Sequence, residues 1–347
     1  MRIDRRTFLC VAAGAAAGCA RNDTSGPLEK AGRYLWSRQV EDGGFHSAVY
    51  GLLRSGQALT PFALGALLDI PESRVPRPAN GVDRAFEFIR KHTNADGELG
   101  RMDATSDDYP NYATALGISA FVKARPSGWE KDIAPMVARL RTQQFAETNG
   151  WKETDAAYGA WGFGGPILRP PEAGHVDISM TRYVLEALRA SGMPSSDPAI
   201  ARCLVYLERS QNADGGFYFS AVNADINKAG EQDGHFKSYG TATADGVLAL
   251  RAAGIPDTDN RVAKAIQWLR SHHKTDGAPG FDAASRQMWS SGLRFYYADV
   301  ISRAVPGLTV VLPNQESDGS FRNSDFLVKE DDPIIATTFA IGTLLRQ

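Results

Sequence analysis

Four short polar clusters carry the residue types that acid/base or metal chemistry needs: Asp107-Asp108 before Tyr109-Pro110, His175 with Asp177, His235 with Lys237 and Tyr239, and Glu330-Asp331-Asp332 before Pro333. Carboxylates and imidazoles gathered around one cavity can coordinate a metal ion or divide into an acid and a base. Their spacing matches no linear metal-ligand motif, so no metal is assigned. Asp177, Asp331 and Asp332 are the candidate catalytic acids, and Asp107, Asp108, Tyr112, His175, His235 and Tyr239 the candidate ligand contacts. The competing reading is structural. Asp332 before Pro333 is a ready N-cap with proline in the first helical position, and acids favour the positive end of a helix. Asp177 can be read the same way, and both histidines as hydrogen-bonded structural groups. Aromatic residues crowd the same stretches, among them Tyr109, Tyr112, Phe163, Phe219, Tyr239 and Tyr296. Such rings stabilise cations, stack on sugars or simply pack.

The elements that must position these groups repeat. An apolar residue, Gln, and Asp-Gly recur in one register as Leu35, Gln39, Asp42-Gly43, as Leu207, Gln211, Asp214-Gly215, and as Val311, Gln315, Asp318-Gly319, each followed by Phe45, Phe217 or Phe321. Weaker copies run from His92 to Asp96-Gly97, from Leu140 and Gln144 to Asn149-Gly150-Trp151, and from Leu269 to Asp276-Gly277. A second mark is a threonine six residues before an Ala-Leu-like pair, at Thr60, Thr114, Thr181, Thr243 and Thr337. A degenerate unit spans Met288 to Ala304. Between the marks the apolar residues keep helical spacing, so each unit reads as helix, Asp-Gly turn, helix. The first helices are charged on one face and should lie outside, whereas the second are apolar on most faces and should lie inside. Six such hairpins favour an all-α closed ring.

The Gln-x-x-Asp-Gly-x-Phe turn resembles the QW motif of the terpenoid cyclase and protein prenyltransferase repeat superfamily, and the likeness covers residues 28–347. It implies an α/α6 toroid of six helical hairpins. Class II cyclases of that superfamily protonate an alkene with the middle aspartate of an Asp-x-Asp-Asp-Thr run. Aligned on the threonine, this chain has Asp177-Ile178-Ser179-Met180-Thr181, with Ser179 where the proton donor would stand. An alcohol cannot replace a carboxylic acid there. The zinc of protein prenyltransferases needs a cysteine on an inner helix, and Cys203 falls on an outer one. The Cys-Gly-Glu-Gln run of thioester toroids is absent.

The 38 Lys+Arg balance 40 Asp+Glu without a basic block, which excludes a nucleic-acid surface. The start, with Arg5-Arg6 ahead of an apolar stretch ending Ala16-Ala17-Gly18-Cys19, reads as a twin-arginine export signal over residues 1–18. Cys19 is the expected lipidation site and residues 19–27 a tether, which would place the protein on the cell envelope through a lipid anchor. Three functions follow: a non-enzymatic binder of a small hydrophobic ligand, an atypical terpene cyclase or isomerase, or an α/α6 carbohydrate-active enzyme. The Gly-rich stretch Ala160 to Pro166 is a candidate flap over the mouth.

Overall fold

The computed structural model describes residues 25–100, 109–282 and 288–347. Cys19, Asp107, Asp108 and the twin arginines lie outside the described residues. The helices in chain order are α1 Pro27–Ser37, α2 Leu59–Asp69, α3 Gly81–His92, α4 Pro110–Ala124, α5 Trp129–Thr142, α6 Ile178–Ala190, α7 Pro198–Arg209, α8 Gly240–Ala252, α9 Asn260–His272, α10 Trp289–Gly292, α11 Arg294–Ala304 and α12 Pro333–Leu344. The pair β1 Glu231–Gln232 and β2 His235–Phe236 forms a small antiparallel hairpin. Among the described residues no helix is long and apolar enough to cross a membrane.

Six helices close a ring: α2 packs on α4, α4 on α6, α6 on α8, α8 on α11, α11 on α12, and α12 back on α2. They are the second helices of the repeats, and their composition explains the placement. In α12 every side chain from Ile334 to Ile341 is buried, which suits a helix surrounded on all sides. By contrast α3 buries Ala85, Phe86, Phe88 and Ile89 and exposes Asp83, Glu87, Arg90 and Lys91, as an outer helix should. The outer helices α1, α3, α5, α7 and α9 each pack against the ring.

The repeat residues fasten the two layers. Thr60, Thr114, Thr181, Thr243 and Thr337 are completely buried, and their hydroxyls accept the backbone N–H of Phe45 (3.0 Å), Leu99 (2.9 Å), Trp161 (3.3 Å), Phe217 (2.9 Å) and Phe321 (2.9 Å). Each threonine therefore ties its inner helix to the preceding turn. The glutamines join neighbouring units. Gln39 Nε2 donates to the carbonyls of Gly43 and Gly81, Gln211 Nε2 to Gly215 and Arg261, and Gln315 Nε2 to Gly319 and Pro27. In each case one acceptor lies in the turn and the other at the start of the next outer helix, and the Gln315–Pro27 bond closes the circle. The turn glycines admit no side chain: Gly43 has φ +89°, and a Cβ on it would meet the Arg84 carbonyl oxygen at 2.3 Å.

Two units depart from the expected register. In the third, Gln144 Nε2 reaches Gly159 and Ala199, so the turn that corresponds to Asp-Gly-x-Phe contains Gly159 and Trp161 rather than Gly150 and Trp151. The inserted residues fold into a satellite core in which Trp151 packs on Phe145. In the last unit the turn is kept, but the segment ahead of it is not helical, so among the described residues five long outer helices surround six inner ones. Pro306 and Gly307 stop α11, and Val310-Val311-Leu312-Pro313 disfavours a new helix.

Candidate ligand site

The N-terminal ends of the inner helices open into a cavity of about 320 Å3. Leu53, Ala58, Leu59, Phe62, Met180, Val328 and Ile335 give it an apolar wall, and Tyr109, Tyr112, Phe163 and Phe219 an aromatic one. The polar groups that reach it are His175, Asp177, Ser179, Lys228 and Lys329. A cavity of this size is at the lower end of the roughly 300–1,000 Å3 of small-ligand sites, which combine apolar walls with a few placed polar groups.

Asp177 precedes α6 in extended backbone, and its carboxylate accepts the N–H of Met180 at 2.7 Å, so it is an N-cap. The same carboxylate lies 2.8 Å from His175 Nε2. The His175 ring stacks on Phe163 with centroids 3.8 Å apart, and Phe163 comes from the Gly-rich stretch, which thus covers one side of the cavity. Tyr112, on α4, sets its ring edge-on to Tyr183 at 4.5 Å.

Asp177, His175 and Tyr112 are therefore brought together, and the other described candidates are placed elsewhere. Asp332 caps α12 by accepting the N–H of Ile334 at 2.8 Å and also accepts the Ser47 hydroxyl. Asp331 accepts the Tyr50 hydroxyl. Both sit near the same mouth without lining the cavity. Glu330 is fully buried and caps α11, accepting the N–H groups of Phe295 (2.9 Å) and Tyr296 (2.8 Å). Burial pushes its carboxyl up to about 8 against these donors. Tyr239 is buried between Phe219 and Phe281, its hydroxyl without a hydrogen-bond partner among the described residues. His235 is exposed in the β1–β2 hairpin and borders a separate outer groove with Gln211 and Trp268. The hairpin carries it out of the ring of acids that the sequence suggested.

Beneath the cavity a polar chain runs through the barrel axis. Ser179, at the position of the missing proton donor, gives its hydroxyl to Asp245 of α8, which also accepts the Tyr296 hydroxyl at 2.6 Å. Arg182 Nε lies 2.8 Å from the other oxygen of Asp245, with both side chains wholly buried, in an ion pair not aligned as a hydrogen bond. Arg182 also pairs with Glu186 at 2.8 Å, and Glu186 with Arg303 at 2.6 Å. Burial raises the Asp245 carboxyl, with Arg182 and the two hydroxyls opposing. Glu186 and Arg303 line a second, more polar cavity of about 540 Å3 at the opposite end of the ring, where Asp69 is paired with Lys123. The sequence held a signal for Asp245, a lone acid in a stretch, Gly240 to Leu250, whose other residues are small or apolar. Lys228 and Lys329 gave none, since loops deliver them.

Among the described residues no three His, Cys, Asp or Glu side chains stand close enough to hold a metal ion. Cys203 is buried on outer helix α7, its thiol pushed up to about 12 by burial.

A closed ring of six inner helices with a cavity at their N-terminal ends defines an α/α toroid. The squalene-hopene cyclase C-terminal domain family matches residues 172–297, the stretch that carries Asp177, Ser179, Lys228 and Asp245. A probable squalene–hopene cyclase of Sinorhizobium fredii is 28% identical over 193 residues, 52% of this chain and 26% of that protein, so the chain spans about a quarter of that relative's length. The type II terpene cyclase MstE of Scytonema, in complex with geranylgeranyl dihydroxybenzoate, superposes with a TM-score of 0.54 at 14% identity over 92% of this chain and 95% of that one. An unsaturated glucuronyl hydrolase of Bacillus sp. GL1 gives 0.58 at 15% identity over 92% and 94%. The chain thus has the α/α toroid fold found in terpenoid cyclases and protein prenyltransferases.

Proposed function

We propose that the protein is a cell-envelope binder of a hydrophobic, isoprenoid-type ligand, held in the cavity at the N-terminal ends of the inner helices and anchored through Cys19. The observation that carries this reading is the cavity wall: apolar and aromatic side chains from α2, α4, α6 and α12 face one space of about 320 Å3. The terpene cyclase neighbour, solved with a geranylgeranyl compound, supports an isoprenoid in a toroid of this kind. The position of the protonating acid is Ser179, and the nearest carboxylates are committed: Asp177 caps α6, and Asp245 faces Arg182. That favours binding over alkene protonation. Farnesol titrated into the purified protein should saturate one site, and Ala58→Trp, which fills the cavity from the residue just before α2, should abolish binding while the protein stays folded. Equal binding by Ala58→Trp would refute the location. The anchor is tested separately by Cys19→Ala, which should move the protein from the membrane to the soluble fraction.

The Ser179–Asp245–Tyr296 cluster favours a second reading, an isomerase or cyclase with a relocated acid. Asp245 is a buried carboxyl raised by burial, one hydroxyl away from the cavity. Turnover of a polyprene that Asp245→Asn abolishes without loss of ligand binding would select this reading over the first.

A further inference from the structure

The two lysines at the cavity are the groups that neither the fold nor the proposed binding of a neutral chain requires. Lys228 Nζ lies 3.8 Å from the centre of the Phe219 ring and 5.6 Å from that of Trp289. Lys329 Nζ lies 5.8 Å from the Tyr50 ring centre and 5.9 Å from that of Tyr109. The two lysines come from unrelated loops and line the same cavity. Two other lysines, Lys123 and Lys237, by contrast hold Asp69 and Asp282 at 2.7 and 2.8 Å. Among the described residues neither Lys228 nor Lys329 has a carboxylate oxygen within the 4.0 Å of an ion pair. The acids nearby are already engaged, Asp177 by Met180 N–H and His175, and Asp331 by Tyr50.

Both lysines also stand at some cost to the free protein. Lys228 is half-buried, and burial outweighs the attraction of Asp177 to bring its ammonium down to about 8. Lys329 has φ +65°, a conformation that residues other than glycine seldom adopt and that tends to be kept where it positions a functional group. A desolvated ammonium over an aromatic face is a receptor for an anion, since it can exchange a weak ring contact for a charge-assisted hydrogen bond.

We infer that the ligand is an amphiphile with an anionic phosphate or carboxylate head, held by Lys228 and Lys329, and an apolar chain running into the cavity. This rests on the reading of the cavity as a site for a hydrophobic ligand, and it adds the head. The lysines read the charge, the aromatic rings around them exclude water from it, and the apolar wall reads the chain. A neutral isoprenoid would leave both half-buried ammonium groups without a carboxylate partner among the described residues.

The test compares farnesol, farnesyl monophosphate, palmitate and inorganic phosphate as ligands of the full chain, by calorimetry at pH 7. Farnesyl monophosphate, palmitate or both should bind about tenfold or more tightly than farnesol, and which of the two wins assigns a phosphate or a carboxylate head. Lys228→Gln and Lys329→Gln should each weaken the anionic ligand by about tenfold and leave farnesol unchanged, while Lys228→Arg retains the preference. The inference is overturned if farnesol binds as tightly as both anions, if the Gln variants weaken both classes equally, or if inorganic phosphate alone binds as well as the amphiphile. Should none of the three chain-bearing ligands bind, it is the cavity reading itself that fails, a separable outcome.

Discussion

Replacing Thr243 by Val tests the fastening of turn to inner helix with least collateral change. The side chains are nearly the same size, so the core around α8 keeps its volume, and what is lost is the hydroxyl that accepts the Phe217 N–H at 2.9 Å. Thr243 and Phe217 are both completely buried, so water cannot take over as acceptor. The orphaned N–H should then cost about 1–3 kcal/mol, the penalty of a buried donor left unpaired. Urea unfolding is the suitable assay, because a chain of this size shifts its melting temperature by only about 2–4 °C per kcal/mol or less. The midpoint should fall with the slope unchanged, and Thr243→Ser, which keeps the hydroxyl but loses a methyl group, should retain the hydrogen bond. Thr60 makes the equivalent bond on α2, across the ring from α8, so the double variant Thr60→Val/Thr243→Val should be additive within about 0.5 kcal/mol. A loss under about 0.5 kcal/mol for Thr243→Val would mean that the Phe217 N–H finds another acceptor, and the threonine mark would not be a fastening.

Asp177→Asn should leave stability within a few tenths of a kcal/mol because Asn caps as well as Asp, whereas Asp177→Ala should cost about 1 kcal/mol; a loss of several kcal/mol for Asn in thermal unfolding would place Asp177 in an obligatory ion pair with His175. Glu330 supplies a pH test. Its folded carboxyl is raised to about 8 from 4.5, so the folded state holds a proton that the unfolded chain releases. Its contribution is therefore fully present below about pH 4.5 and is lost as pH rises through about 8, at up to about 1.4 kcal/mol per pH unit. The difference between wild type and Glu330→Gln, measured from pH 5 to 9, should show that slope; a flat difference would mean that the N–H donors keep Glu330 ionised throughout. Asp245→Asn should destabilise by about 3 kcal/mol, toward the low end for a broken buried pair because Glu186 still faces Arg182, and an unchanged urea midpoint would contradict the ion pair.

The repeat was legible because each marker residue answers one backbone need. Gly43 and Gly215 sit where φ is positive and a carbonyl of the next outer helix presses close, Gln39 and Gln211 bridge two carbonyls, and the threonines accept one buried N–H. Such needs recur from unit to unit, so they leave a pattern. Where a unit varies the pattern misleads, as at Asn149-Gly150, which has turn-like composition but belongs to an insertion that Gly159 closes. The loss of the last outer helix was hidden for a similar reason: Gln315-x-x-Asp318-Gly319 keeps the turn, while prolines on the preceding segment remove the helix. At the site, Asp177, His175 and Tyr112 were readable because they ride on or just before inner helices, whose register places them. Lys228 and Lys329 ride on loops and His235 on the small β1–β2 hairpin, and no helical periodicity says which way these segments turn.

The claim that the toroid holds a hydrophobic chain in the cavity between Phe62, Met180 and Ile335 is tested most directly by native mass spectrometry of the protein isolated from the cells that make it, before and after solvent extraction. A single equivalent of an apolar-chain compound, lost on extraction and absent from Ala58→Trp, is the result expected. A bare polypeptide mass before extraction, together with no uptake of farnesol or farnesyl monophosphate afterwards, would contradict it.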